Sequence, residues 1–132
     1  MWLWRRLPHP DTLVSGGPEI DFGVQTDNIL ILGEAKWLSG VGKMQGKKKD
    51  KTQIELRKEF CMKYGKVFFP SVSMFVILGV SLSGGLVKNE EFTSGLYMRD
   101  LTWKSLCSLQ SHPCFEEVNR YLKWKQEYSK SR

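Results

Sequence analysis

The pattern of apolar and polar positions divides the chain. Glu19-Ile20-Asp21-Phe22-Gly23-Val24 alternates, which predicts a strand with one wet face. Gln25-Thr26-Asp27-Asn28 predicts a tight turn, because Asp and Asn tolerate turn dihedrals. Ile29-Leu30-Ile31-Leu32 then runs apolar into Gly33-Glu34-Ala35-Lys36-Trp37, a buried strand whose far end turns polar. Segments 19–24 and 29–37 together predict a hairpin. Residues 1–18 read as irregular, punctuated by Pro8, Pro10, Gly16, Gly17 and Pro18, with Trp2 and Trp4 expected to plug into apolar surroundings.

A helix is expected from about Asp50 to Tyr64, capped by Asp50 or Thr52 and ended by Gly65. Its apolar stripe is Ile54, Leu56, Phe60, Cys61 and Tyr64. Met74 to Leu82 is almost continuously apolar, which predicts a central strand buried on both faces. Residues 86–98 suggest a short strand or turn. Leu101–Leu109 suggests a second helix, and Phe115 to about Tyr128 a third, with Phe115, Val118, Tyr121, Leu122 and Trp124 near one face. The order β-β-α-β-α-α predicts a single α/β domain over residues 1–132, built on a mixed sheet flanked by helices.

Composition narrows the partner. The chain has 132 residues, 20 Lys+Arg against 14 Asp+Glu, and a formal net charge of +6, which favours a polyanion. There is no apolar run long enough to span a membrane and no signal-peptide pattern, so a cytoplasmic or nucleoid-associated, non-secreted protein is expected. Three cysteines without paired spacing read as reduced thiols. Cys107 and Cys114 lack zinc spacing, and His9 and His112 are isolated. Residues 38–51 hold three glycines and five lysines, but Val41 and Lys48 break the spacing of a nucleotide-binding P-loop. Lys43, Lys47, Lys48, Lys49 and Lys51 read either as a solvated loop or as phosphate contacts that give affinity without reading sequence.

The informative feature is charge where strands should be apolar. Glu34 and Lys36 are two apart on one strand and share a face. A turn centred within 25–28 sets Asp21 opposite about Leu32, and Glu34 opposite about Glu19. Diagonal neighbours lie within ~7–8 Å, so Asp21, Glu34 and Lys36 converge at one end of the sheet. Clustered carboxylates repel and lose hydration. Mg²⁺ offsets that cost, since it takes oxygen ligands and is held by one or two carboxylates. The Ala35 carbonyl is a further oxygen donor at the same place, and Glu19 an additional candidate ligand. Lys36 can orient or deprotonate an attacking water, or stabilise an anionic transition state. These parts suit metal-assisted hydrolysis of a phosphodiester.

Pro18-Glu19-Ile20-Asp21, twelve residues, then Glu34-Ala35-Lys36, followed by a helix bearing Gln53 and by a buried strand, resembles the PD-(D/E)xK nuclease superfamily. The similarity covers about residues 15–82, with C-terminal helices at about 99–130 outside it. It implies a restriction-endonuclease-like fold, with Asp21 and Glu34 as metal ligands for Mg²⁺ or Mn²⁺. It implies that Lys36 is catalytic and that Gln53 positions the nucleophile or the backbone. Gln53-x-x-x-Arg57 stands where one branch of the family has QxxxY. Arg57 joins the lysines as a candidate nucleic-acid contact. The expected substrate is DNA, with RNA left open, and cleavage of both strands calls for a homodimer or a larger nuclease assembly. The alternative is a catalytically inactive nucleic-acid-binding or assembly module on the same fold.

Overall fold

The computed structural model describes residues 1–13, 17–37 and 51–128. Lys43, Lys47, Lys48 and Lys49 therefore lie outside the described residues. The elements are β1 (Trp2–Arg6), β2 (Glu19–Gln25), β3 (Ile29–Ala35), α1 (Gln53–Phe68), β4 (Met74–Ser81), β5 (Glu90–Phe92), β6 (Leu96–Thr102), α2 (Trp103–Leu106) and α3 (Phe115–Tyr128). The strands form one six-stranded mixed sheet in the order β1-β2-β3-β4-β6-β5. The class is α/β, as the residue pattern predicts. No helix among the described residues is long and apolar enough to cross a membrane.

The expected hairpin is present with its register moved by two residues. Gln25 pairs with Leu30, and Phe22 with Gly33. Asp27 and Asn28 are thus the two turn residues, and the Thr26 amide donates to the Ile29 carbonyl at 2.9 Å. A shift of two preserves every side chain's face, so the charged positions still converge. What changes is that Asp21 comes level with Glu34 rather than with Leu32.

Three boundaries differ from expectation. Residues 2–6 are a strand paired antiparallel with β2, not irregular chain. Trp2 lies over Gly23, where an added Cβ would strike its ring, while Trp4 is largely exposed. Helix α1 runs through Gly65 to Phe68, because Gly65 lies against the Phe75 ring and the absent Cβ permits that approach. Thr52 caps α1 and forms a capping box with Glu55. Leu101 and Thr102 belong to β6, so the second helix shrinks to one turn.

Strand β4 is central, with parallel neighbours on both sides. One face carries Phe75 and Ile77, packed with Leu30, Leu32 and with Phe60 and Cys61 of α1. Burial pushes the Cys61 thiol up to about 12. The other face of β4 is half-buried at Val76 and Leu78 and fully buried at Val80, so the expected burial on both sides holds only toward the strand's C-terminal end.

Candidate active site

The site forms where β2 leaves β3. The ladder's last pair is Phe22 with Gly33. One residue beyond it, the Asp21 carboxylate takes the place of backbone, and its Oδ2 accepts the Ala35 amide hydrogen at 2.8 Å. That amide is the peptide link between Glu34 and Ala35, so Asp21 is seated directly on the Glu34 segment. Glu34 is buried, and its Oε1 lies 2.8 Å from Lys36 Nζ. The backbone of Lys36 is fixed on both sides. Its amide donates to the Val80 carbonyl at 2.8 Å, and its carbonyl accepts from Trp103 Nε1 at 2.7 Å.

The hydrogen bond to Glu34 holds the Lys36 ammonium above the ordinary lysine range. Partial burial opposes this, and the charges of Glu34 and Asp21 reinforce it. Lys36 is therefore a stabilised cation at neutral pH, suited to meeting negative charge rather than to removing a proton.

Helix α1 supplies the rest. Gln53 Oε1 accepts the Glu19 amide hydrogen at 2.8 Å and pins the start of β2. One contact of Gln53 is thus with the backbone of the strand that carries Asp21. Arg57, four residues on, reaches the same strand. Its Nε donates to the Glu19 carbonyl at 3.1 Å, and its Nη2 binds both that carbonyl and the second oxygen of Glu34. Arg57 is 0% exposed, so the expectation that it contacts nucleic acid is overturned. A guanidinium with no solvent-facing surface cannot reach a phosphate backbone, and here it neutralises Glu34 instead. Its Nη1 has no hydrogen-bond partner among the described residues.

Two further expectations change. Glu19 is engaged by Trp4 Nε1 and by Arg6 Nη2, the latter at 2.6 Å. The hydrogen bond from Trp4, then that from Arg6, holds its carboxyl below the usual range. No group of three His, Cys, Asp or Glu side chains placed to hold one ion exists among the described residues, and Glu19 is tied to Trp4 and Arg6 instead of grouping with Asp21 and Glu34. Lys51 is bound to Glu59 at 2.8 Å and to Asp11 at 3.4 Å, which makes it a helix-docking cation rather than a free phosphate contact.

Asp21, Glu34 and the Ala35 carbonyl are all hard oxygen donors, the class that Mg²⁺ takes. Asp21 Oδ1 has no hydrogen-bond partner among the described residues. Glu34 already gives one oxygen to each of two cations. The set thus fits the metal in kind, with Arg57 as a competitor for Glu34.

The burial of Arg57 has a signal in the sequence. Positions 53, 57, 60 and 64 fall on one helical stripe. A cation in the middle of a core stripe calls for a buried carboxylate.

Comparison of the chain with protein families, with curated proteins and with solved structures finds no match.

Proposed function

We propose that this chain is a Mg²⁺-dependent endonuclease with a restriction-endonuclease-like core, hydrolysing DNA phosphodiester bonds. The observation that supports it is the seating of Asp21 on the Glu34–Ala35 peptide, with Lys36 on Glu34. A hairpin carrying these residues, a helix bearing Gln53 and a following parallel strand stand in the order that the PD-(D/E)xK resemblance implies.

Asp21 and Glu34 would hold the ion, with the Ala35 carbonyl beside them. Such an ion supplies Lewis-acid polarisation of the phosphate and lowers the pKa of a bound water. Lys36 stays protonated and donates to the oxygen on which negative charge develops. Gln53 holds β2 in place by its backbone, which fixes where Asp21 stands. Cleavage of both strands requires a second active site, hence a homodimer.

The test is incubation with supercoiled, linear, single-stranded and branched DNA, and with RNA, with and without Mg²⁺ or Mn²⁺. Cleavage is expected only with metal, and Glu34→Ala and Lys36→Ala should each lower it at least about 100-fold. Undiminished cleavage by both variants removes these residues from the mechanism.

A second reading, an inactive nucleic-acid-binding module, is favoured by one observation: both oxygens of Glu34 are occupied by cations of the chain itself. It predicts salt-sensitive DNA binding with no turnover under any metal.

A further inference from the structure

Helix α3 turns most of itself outward. Leu122 alone of its 14 residues is buried. Lys125 lies over the Trp37 ring at 4.6 Å, so this side faces the body of the protein. Tyr121 lies one turn before Lys125, whose Nζ is 6.0 Å from its ring, and from there the stripe Tyr121, Trp124 and Tyr128 turns into solvent, 59%, 54% and 63% exposed. Their rings form a ladder, with centroids 5.8 Å apart at each step. Of the apolar face expected on this helix, Leu122 is thus buried while Tyr121 and Trp124 are exposed. Steps of three and then four residues are the spacing of a helix-pairing seam.

We propose that this seam pairs antiparallel with α3 of a second copy of the chain. The charges around it select that partner. Arg120 precedes Tyr121 and Glu127 precedes Tyr128, so both flank the same side of the seam. With Tyr121 opposite Trp124 of the second copy, Arg120 comes beside Glu127 of that copy. Two-fold symmetry makes the contact twice. Glu117 lies on the stripe itself, four residues before Tyr121, and comes opposite the Tyr128 phenol, a hydrogen-bond donor to a carboxylate. A parallel pair would instead set Glu117 beside Glu117 and Arg120 near Lys125.

A polyanion fits less well. Across α3, Glu116, Glu117 and Glu127 balance Arg120, Lys123 and Lys125, and a carboxylate occupies the aromatic stripe. A seam this short predicts a concentration-dependent equilibrium rather than an obligate dimer. The pairing supplies the second copy that double-strand cleavage needs, and in that use alone it rests on the endonuclease reading.

Sedimentation equilibrium of the full chain without DNA tests it, over about 5–200 µM. The mass should rise from 15.3 kDa toward twice that value. Trp124→Ala should hold it at the monomer. Arg120→Glu and Glu127→Arg should each weaken association about tenfold, and the two together should restore it. All three positions are exposed, and unchanged thermal melts at low concentration confirm that the variants fold. A monomer throughout, or a double reversal that fails to restore, overturns the proposal. So does a chain that stays monomeric while Trp124→Ala loses single-stranded DNA binding, because the stripe is then a nucleic-acid platform. Metal-dependent nicking that survives in a monomeric variant separates this result from the fate of the active-site reading.

Discussion

Arg57 sits in the core stripe of a helix and bears a charge with no exposed surface. Among the described residues, the Glu34 carboxylate and the Glu19 carbonyl are what make that position tolerable. Removing one member of a buried pair leaves the other uncompensated, at about 3–5 kcal/mol. Arg57→Met is therefore expected to lose that much in urea unfolding. In a Glu34→Gln background the cost should fall to about 1–3 kcal/mol, the remainder being the abandoned Glu19 carbonyl. Equal costs in the two backgrounds would show that the ion pair is not what holds Arg57. At this scale the sequence was half legible. Asp21, Glu34 and Lys36 stand out because charge interrupts apolar strands. Arg57 is legible only in part: its place on the core stripe of α1 signals burial, but its carboxylate partner lies on another element, which local pattern does not locate.

Elements follow from local pattern where that pattern is strong. The alternation of β2, the apolar run of β4 and the Thr52 cap of α1 each locate an element from adjacent residues. Contacts distant in sequence move the boundaries. Gly65, a helix stop by propensity, is retained inside α1 because Phe75 needs the space. Strand β1 exists because β2 offers it a ladder, and nothing within residues 2–6 announces that. One side chain makes three of the hydrogen bonds that hold the β4–β6 connection. Asp100 of β6 accepts the amides of Gly85, Leu86 and Val87 at 2.7, 3.0 and 3.0 Å. Gly84 and Gly85, with φ of 78° and 81°, let the backbone curl around it. Asp100→Ala abandons three amides at once and should cost about 2–3 kcal/mol. Hydrogen exchange should show the loss first at residues 85–87, with β2 and β3 unaffected. Protection unchanged there would mean that the loop is held by Leu86 and Val87 packing instead.

At the scale of the whole molecule, the sheet brings one acid from an antiparallel pair and one from the strand beside the parallel core, and the fold's stability becomes a reporter of what binds between them. A ligand that binds only the folded state stabilises by RT ln(1 + [L]/Kd). A weak Mg²⁺ site with Kd of about 1 mM, at about 10 mM metal, contributes about 1.4 kcal/mol. For a chain of this length that raises Tm by about 5 °C. The rise should vanish in Asp21→Asn, whose amide is neutral and a poor Mg²⁺ ligand. It should persist in Lys36→Ala, because Lys36 holds Glu34 without ligating the ion. Sodium chloride at matched ionic strength should not reproduce it, which separates site binding from screening. The measurement needs no substrate and no turnover. A shift of equal size in wild type and Asp21→Asn would show that Mg²⁺ acts elsewhere on the surface. The absence of any shift would mean that Arg57 and Lys36 already supply all the positive charge Glu34 accepts, and that the constellation is a structural ion cluster.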